Sequence, residues 1–382
     1  MVARSALHDG SGLTIVTEQL AAVGGATRIL EALRDRFPRA LLLASRFDRP
    51  TGCLPAEWAD PVRLVGPGGR KTHFLAPLHS RRMGRECLDG LVLSIGSNSW
   101  AHAVGLAPGA RHIALAHGPP RPLYGEVGRY LSGEPPILRP ALRAARPLLR
   151  REYLRRLAAT HRRIAVSRWS AAALRQIHGV PWEVVHPPVR TDYFTPSPGG
   201  RNPSGPLLIA SRLVPHKRVE QAIEAVRGLD AELIVVGGGP ARGELEASAP
   251  TNVRFAGSVA DSELRELYRS ASLFVSANRE EFGIALAEAQ ATGVPVIAPG
   301  AAEVVAPGTG VLVANGSAES LRRAIVVARG QTWDPSACRS NALRFTSERF
   351  IAAIEQTLGE EAAKLPQPRR AAFAPSSQAA AA

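Results

Sequence analysis

Twice along this chain, short apolar runs alternate with segments of helical period, and that rhythm limits the fold more than any other feature. In the first half the runs are Leu13–Thr17, Leu41–Ala44, Leu91–Ile95, Ile113–Ala116, Ile164–Val166 and Val184–Val185, with helix-period stretches such as Ala26–Arg36 and Ala171–Ile177 between them. Residues 187–206 then become rich in proline and glycine (Pro187, Pro188, Pro196, Pro198, Gly199, Gly200, Pro203, Pro206), a composition that suits a connection between domains. The second half restarts the rhythm, with runs at Leu207–Ala210, Leu233–Val236, Val253–Phe255, Leu273–Val275 and Val294–Ile297 and helices expected over 217–227, 262–270 and 284–291. Strand–helix alternation predicts α/β domains with parallel, doubly wound sheets. The expected boundaries are a first domain over 1–190, a linker over 191–205 and a second domain over 206–340. A last helix, Asn341–Leu358, falls in a segment (341–362) expected to return to the first domain. Residues 363–382, mostly Ala, Pro, Gln and Ser, are expected to be disordered. Ligands of this architecture bind in the crevice beyond the strand C-termini.

Composition narrows the class. A length of 382 residues and an apolar fraction of 45% suit two soluble domains with sizeable cores. The three cysteines (Cys53, Cys87, Cys338) are far apart, form no metal-like spacing and fit a reduced, cytoplasmic setting. There is no apolar run of membrane-spanning length and no signal-peptide pattern. The net charge of +14 is uneven: residues 139–163 hold nine arginines against one acid, Glu152, hence +8 in that stretch. Interleaved leucines make it resemble basic amphipathic helices interrupted by Pro140 and Pro147. An anionic membrane surface, simple solubility and nucleic acid all remain open as its purpose, although no nucleic-acid-binding motif supports the last.

Several segments could carry chemistry. Glu280 and Glu288 flank Phe282-Gly283-Ile284 at the opening of an apolar helix. If that stretch were wholly helical, eight residues would span about 12 Å and return to roughly the same face, with free helix-start N–H groups between the acids to receive a diphosphate. The alternative is an amphipathic helix with two solvated acids, and Glu281 reads as a bystander. Arg212 follows a strand and Lys217, one of only three lysines, stands near the next helix start; such a cation pair can neutralise a diphosphate, unless Lys217 is a surface lysine. Gly237-Gly238-Gly239 ends a strand in a turn that lets a backbone approach a ligand, a common feature that is not a dinucleotide fingerprint. In the first half, Gly24-Gly25 at a helix start forms an anion-receptive backbone or a plain loop. His117, ending a strand above the crevice, can meet a sugar hydroxyl or phosphate or be a structural histidine.

Together these segments resemble retaining GT-B glycosyltransferases of family 4, most of all the mannosyltransferase-type members of O-antigen and exopolysaccharide assembly. The resemblance runs over roughly residues 13–358 and is most specific in SRLVPHKRVEQAIEA, VVGGGP, NVRFAGSVADSELRELYRSA and EEFGIALAEAQATGVPVIA. HPPVRTDYF, GGATRILEAL and ALAHGPPR resemble further segments of the family. Departures are Thr27, where the family commonly has an acid, His117-Gly118-Pro119-Pro120-Arg121 in place of an HTPMRY-like run, and Gly300-Ala301 in place of Gly-Gly.

The resemblance implies two Rossmann-like domains facing across a crevice and assigns roles. Arg212 and Lys217 would hold the donor diphosphate, Glu280 the sugar hydroxyls, with the backbone of Phe282, Gly283 and Ile284. Glu288 would bind the ribose, Val259 would lie near the base, and Gly24, Gly25 and Gly238 would line the donor. His117 would stand near the reacting carbon and Ser167 on the acceptor side. It further implies retention and no metal, in keeping with the lack of a DxD motif. The expected function is transfer of a hexose, mannose-like, from a GDP- or UDP-sugar to a glycan or lipid-linked acceptor, with no cofactor, in the cytoplasm, with peripheral attachment to the inner membrane face left open. A noncatalytic nucleotide-sugar-binding protein and a nucleic-acid-binding protein are the alternatives.

Overall fold

The computed structural model describes residues 9–20, 25–47, 62–64, 85–96, 100–102, 104–124, 136–301 and 303–366, to which all structural statements refer. Gly24 and residues 367–382, singled out in the sequence, lie outside them. The apolar runs form fifteen described strands: β1 Leu13–Leu20, β2 Leu41–Phe47, β3 Val62–Leu64, β4 Cys87–Leu88, β5 Leu91–Gly96, β6 Gly105–Leu106, β7 Arg111–Ala116, β8 Arg162–Ala165, β9 Glu183–Val184, β10 Leu207–Ala210, β11 Leu233–Val236, β12 Val253–Gly257, β13 Leu273–Val275, β14 Val296–Ala298 and β15 Gly310–Leu312. A near-continuous apolar run suits a strand covered on both faces, and every residue of β5 and β11 is buried.

Two large sheets result, both parallel throughout. The first has the order β3-β2-β1-β5-β7-β8-β9 and the second β12-β11-β10-β13-β14-β15, while β4 and β6 form a separate pair. The expected pair of doubly wound α/β domains is therefore what the chain forms. Strand order reverses between β1 and β5 in one sheet and between β10 and β13 in the other. Such switch points splay the following loops apart and leave a crevice at the strand C-termini.

The first core packs Ile15, Leu42, Leu93 and Ile113 against Leu30 and Leu33 of the helix Gly25–Arg36. The second packs Ile209, Val235 and Val275 against Ile223 and Ile325, the latter from helix Ala318–Arg329. The connecting segment is not a loose tether. Phe194 is fully buried edge-on against Tyr268, and Arg269 donates to the Thr195 carbonyl oxygen at 2.8 Å.

The structure corrects two helices. The expected helix Asn341–Leu358 is broken: Pro335–Ala342 ends in a 3-10 turn, Leu343–Phe345, and a new helix, Ser347–Ala362, begins at Thr346, whose hydroxyl accepts from the Arg349 N–H. A capped start satisfies one otherwise unpaired N–H and fixes a change of direction. The basic stretch, expected as interrupted helices, is one helix, Arg139–Ala158. Pro140 stands in its first turn, where an N–H would have no partner, and Pro147 lies on the exposed side, where water can reach the carbonyl it leaves free.

The helix Ser347–Ala362 follows the second domain in sequence but packs on the first. Glu355 pairs with Arg36, Glu360 with Arg162 at 2.8 Å, and the fully buried Glu361 accepts from Arg111 at 2.7 Å. Leu358, 1% exposed, joins the same core as Leu93. Replacing Leu358 with Ala should cost about 2–5 kcal/mol and raise hydrogen exchange in β5 and β7 while β10, β11 and β13 stay protected. The reverse pattern would attach this helix to the second domain.

Candidate active site

The second sheet sets four loops side by side, following β12, β11, β10 and β13. Arg212, exposed, leaves β10; Lys217 ends a 3-10 turn, Pro215–Lys217, just before Arg218 enters the left-handed region at φ 55. Glu280 leaves β13. Across the switch point Lys217 Nζ donates to both Glu280 oxygens at 2.7 Å, with the two side chains 17% and 19% exposed. Cation and acid thus form one unit at the crevice lip, and the surface-lysine alternative is set aside.

The glycine turn serves this loop. A Cβ on Gly237 would lie 2.0 Å from the Ser211 carbonyl oxygen and one on Gly239 2.3 Å from that of Leu213, so both glycines let the Arg212 loop pass over them. Gly238, between them, accepts from Leu213 N–H at 2.8 Å and faces the Ser258 hydroxyl. Val259, two residues past β12, is half-buried against the core.

Gly283, at φ 97, caps the helix Ile284–Ala291, and a Cβ there would meet Leu286 Cδ1 at 2.6 Å. The Phe282 ring is buried, stacked 5.4 Å from His186 and edge-on to Phe345. The first N–H groups of the helix, beginning at Ile284, have no partner four residues back.

From the first sheet, Gly25 follows β1 as the first residue of its helix, His117 follows β7 and Ser167 follows β8. His117 Nε2 is buried without a hydrogen-bond partner, and burial lowers its pKa to about 4 against the pull of Glu281, so the ring is neutral at neutral pH. Ser167 is fully buried. Its oxygen caps helix Arg168–His178 by accepting from Ser170 N–H at 3.0 Å, and its hydroxyl donates to the Glu281 carbonyl oxygen. Beside it, Arg168 N–H donates to Glu303, a carboxylate 4% exposed. Further along the crevice Arg28 donates to both Asp261 oxygens at 2.8 and 3.1 Å, and Arg190 donates to the same carboxylate at 2.8 Å.

These contacts change three expectations. The helix starts at Ile284, so Glu280 lies in a loop and Glu288 in the helix, and helical spacing does not relate them. Neither acid is solvated: helix Ile284–Ala291 is largely buried and Glu288 is 6% exposed, facing Tyr268, whose hydroxyl donates to it at 3.3 Å. Glu281 is no bystander, since its backbone ties the two domains and a Cβ on Gly118 would lie 3.1 Å from its Cγ. Arg28, Arg190, Asp261 and Glu303 escaped the sequence reading. Arg28 sits one turn past Gly24-Gly25 and Asp261 opens a helix, so their positions were suggestive, but their pairing spans 233 residues.

Burial raises the Glu288 carboxyl from 4.5 to about 7, against the pull of Arg28 and Arg190. Asp261 is held below its usual value: burial alone would raise it, but the two arginines outweigh that. A raised folded-state pKa favours folding while the group is protonated, and that contribution is lost as pH climbs through about 7. Against Glu288→Gln, wild type should therefore lose on the order of 3 kcal/mol of relative stability between pH 4.5 and 8, read from thermal unfolding of both proteins. A gap independent of pH would mean the carboxyl is not buried.

Comparison with known proteins bears on this half of the crevice above all. Residues 201–328 match the family model of group 1 glycosyl transferases. A GDP-mannose-dependent alpha-mannosyltransferase of Mycolicibacterium smegmatis is 37% identical over 147 residues, 37% of this chain and 36% of that protein. A GDP-mannose-dependent alpha-(1-6)-phosphatidylinositol monomannoside mannosyltransferase of Mycobacterium tuberculosis is 34% identical over 145 residues, 30% of this chain and 37% of its own. The chain thus matches little more than a third of the length of these relatives. Among solved structures, Anabaena HepE with UDP and glucose superposes with a TM-score of 0.63 at 19% identity, over 91% of this chain and 99% of that one. WaaG, a glycosyltransferase involved in lipopolysaccharide biosynthesis, does so with 0.58 at 18% identity, over 93% and 100%. The chain has the GT-B fold, and its second domain carries the sequence pattern of group 1 glycosyl transferases.

Proposed function

We propose that this protein is a retaining hexosyltransferase of family 4 that moves a mannose-like hexose from a nucleoside diphosphate sugar, GDP-mannose first among candidates, to a glycan or lipid-linked acceptor. The observation that carries the reading is the Lys217–Glu280 pair across the switch point, inside the stretch that matches group 1 glycosyl transferases. The GDP-mannose-dependent relatives support the choice of donor.

Breaking the anomeric C–O bond leaves a nucleoside diphosphate, and stabilising that developing charge is the largest catalytic contribution available. Arg212, Lys217 and the helix-start N–H groups near Ile284 would do this without a metal. Glu280, already anchored by Lys217, would accept from sugar hydroxyls, and neutral His117 would present its unpaired Nε2 to the sugar. Glu288 and Val259 would meet the nucleoside. Retention has the acceptor oxygen attack the face the phosphate leaves, its proton passing to the departing phosphate oxygen. Closure of the domains would exclude water and favour transfer over hydrolysis.

The basic helix supports peripheral binding to the cytoplasmic membrane face. Among the described residues no helix is long and apolar enough to cross a membrane. Arg139–Ala158 instead exposes Leu148 (70%) with Arg143 and Arg151, just after Ile137 (85%). Much of its charge is engaged: Arg155 and Arg156 pair with Glu152, and Arg146 and Arg150 donate to the Leu123 carbonyl oxygen.

Lys217→Ala and Glu280→Ala should each cut transfer by about 10²–10³-fold with unfolding temperatures little changed; near-normal turnover in both would overturn the site. GDP-mannose should raise the unfolding temperature of wild type, and binding without transfer or slow donor hydrolysis would favour a noncatalytic role. Joint reversal of Arg143 and Arg151 to Glu should weaken binding to phosphatidylglycerol-containing vesicles at low salt by about tenfold or more. Equal binding of wild type and variant would remove the helix from any membrane role.

A further inference from the structure

Ser167 is consumed by its cap and by Glu281, so whatever receives an acceptor must lie beyond it. The same helix, Arg168–His178, carries an open groove of about 520 Å³ on its outer side. Trp169 lines it and is 38% exposed, the only aromatic among the large exposed apolar side chains of the described residues. Ala172 and Ala173, three and four positions on, and Arg175 and Gln176 beyond them line the same groove.

The groove adjoins the reaction site. A Cβ on Gly118, next to His117, would lie 3.8 Å from Trp169 Cζ3 and 3.1 Å from Glu281 Cγ. Gly118, one residue from His117, therefore has both the Trp169 indole and the Glu281 side chain as near neighbours. An indole, two alanine methyls and two side chains rich in N–H donors in one groove suit a ring with apolar C–H faces and a rim of hydroxyls.

We propose that the Trp169 groove is the acceptor subsite and holds a pyranose ring of a saccharide acceptor stacked on the indole, with Arg175 and Gln176 donating to its hydroxyls. This rests on the glycosyl-transfer reading and adds the acceptor class and the residues that select it.

The test is a titration with methyl α-mannopyranoside, followed through the indole N–H signals of protein labelled at its five tryptophans, with Trp169 assigned by Trp169→Phe. The Trp169 signal should move saturably while those of buried Trp182 and Trp333 stay put, and glycerol at equal concentration should leave it unmoved. The double variant Arg175→Ala, Gln176→Ala, altering only exposed side chains, should bind the pyranoside about tenfold more weakly. A Trp169 signal that does not move, that moves equally with glycerol, or that titrates identically in the double variant would overturn the subsite. Stabilisation by GDP-mannose, measured in the same samples, should be equal in wild type and the double variant. Its absence from wild type would defeat the donor reading, and the pyranoside titration would still decide the groove.

Discussion

Asp261 is the point on which the crevice depends. It opens a helix of the second domain, and two arginines converge on it from elsewhere: Arg28 from the first domain's glycine-led helix and Arg190 from the connecting segment. A carboxylate at a helix start already sits in a favourable field, and the two guanidiniums keep it ionised despite partial burial. Arg28 also donates to Glu31 on its own helix at 2.9 Å, so both terminal guanidinium nitrogens are engaged. A rigid fork of this kind sets direction as well as distance. It thereby ties the helix Gly25–Arg36 to the second domain.

The crevice of this +14 chain is lined with acids, and the structure accounts for each. Glu280 holds Lys217, Asp261 holds two arginines, and Glu303 takes the start of the Arg168–His178 helix. Glu288 is kept from water and depends on the field of Arg28 and Arg190. Removing the buried Glu303 would leave the Arg168 N–H group unpaired, which costs more than the bond itself contributes. Under the proposed function a donor diphosphate would be met by Arg212 and by Lys217, whose ammonium Glu280 already holds in position, and preorganised charge is the condition under which electrostatic stabilisation is most effective.

Strands and domain rhythm were legible because they depend on local pattern. The runs at Leu207–Ala210, Leu233–Val236 and Leu273–Val275 appear with the same bounds, since a doubly covered strand must be apolar throughout. Val62–Leu64 and Gly310–Leu312 were missed as too short to show a period, and helix Ala318–Arg329 was missed although Ser317 caps it. Within the site, Lys217 and Glu280 could be picked out, but their bonding to each other could not. The burial of Glu288 was not legible, for a physical reason: an acid in an apolar helix is equally compatible with a solvated face until Tyr268, twenty residues earlier, is brought against it. Ser167 likewise looked available, and only the fold shows its hydroxyl committed to Glu281.

The cross-crevice ties also link the two halves of the proposed reaction. Helix Arg168–His178 is tied to the second domain at its first turn, by Ser167 to Glu281 and Arg168 to Glu303. Its acceptor-side residues follow immediately, Trp169 being the second residue of the helix. Glu281 and Glu303 belong to the loops after β13 and β14, and the former also presents Glu280. Because a helix moves nearly as a rigid body, any shift of the β13 loop on meeting a donor must carry the Trp169 groove with it. Under the proposed function, a donor that engages Glu280 would therefore also act on the angle at which the Trp169 groove faces the sugar. Acceptor geometry would then follow from donor binding, and water, which needs no groove, would gain nothing from it.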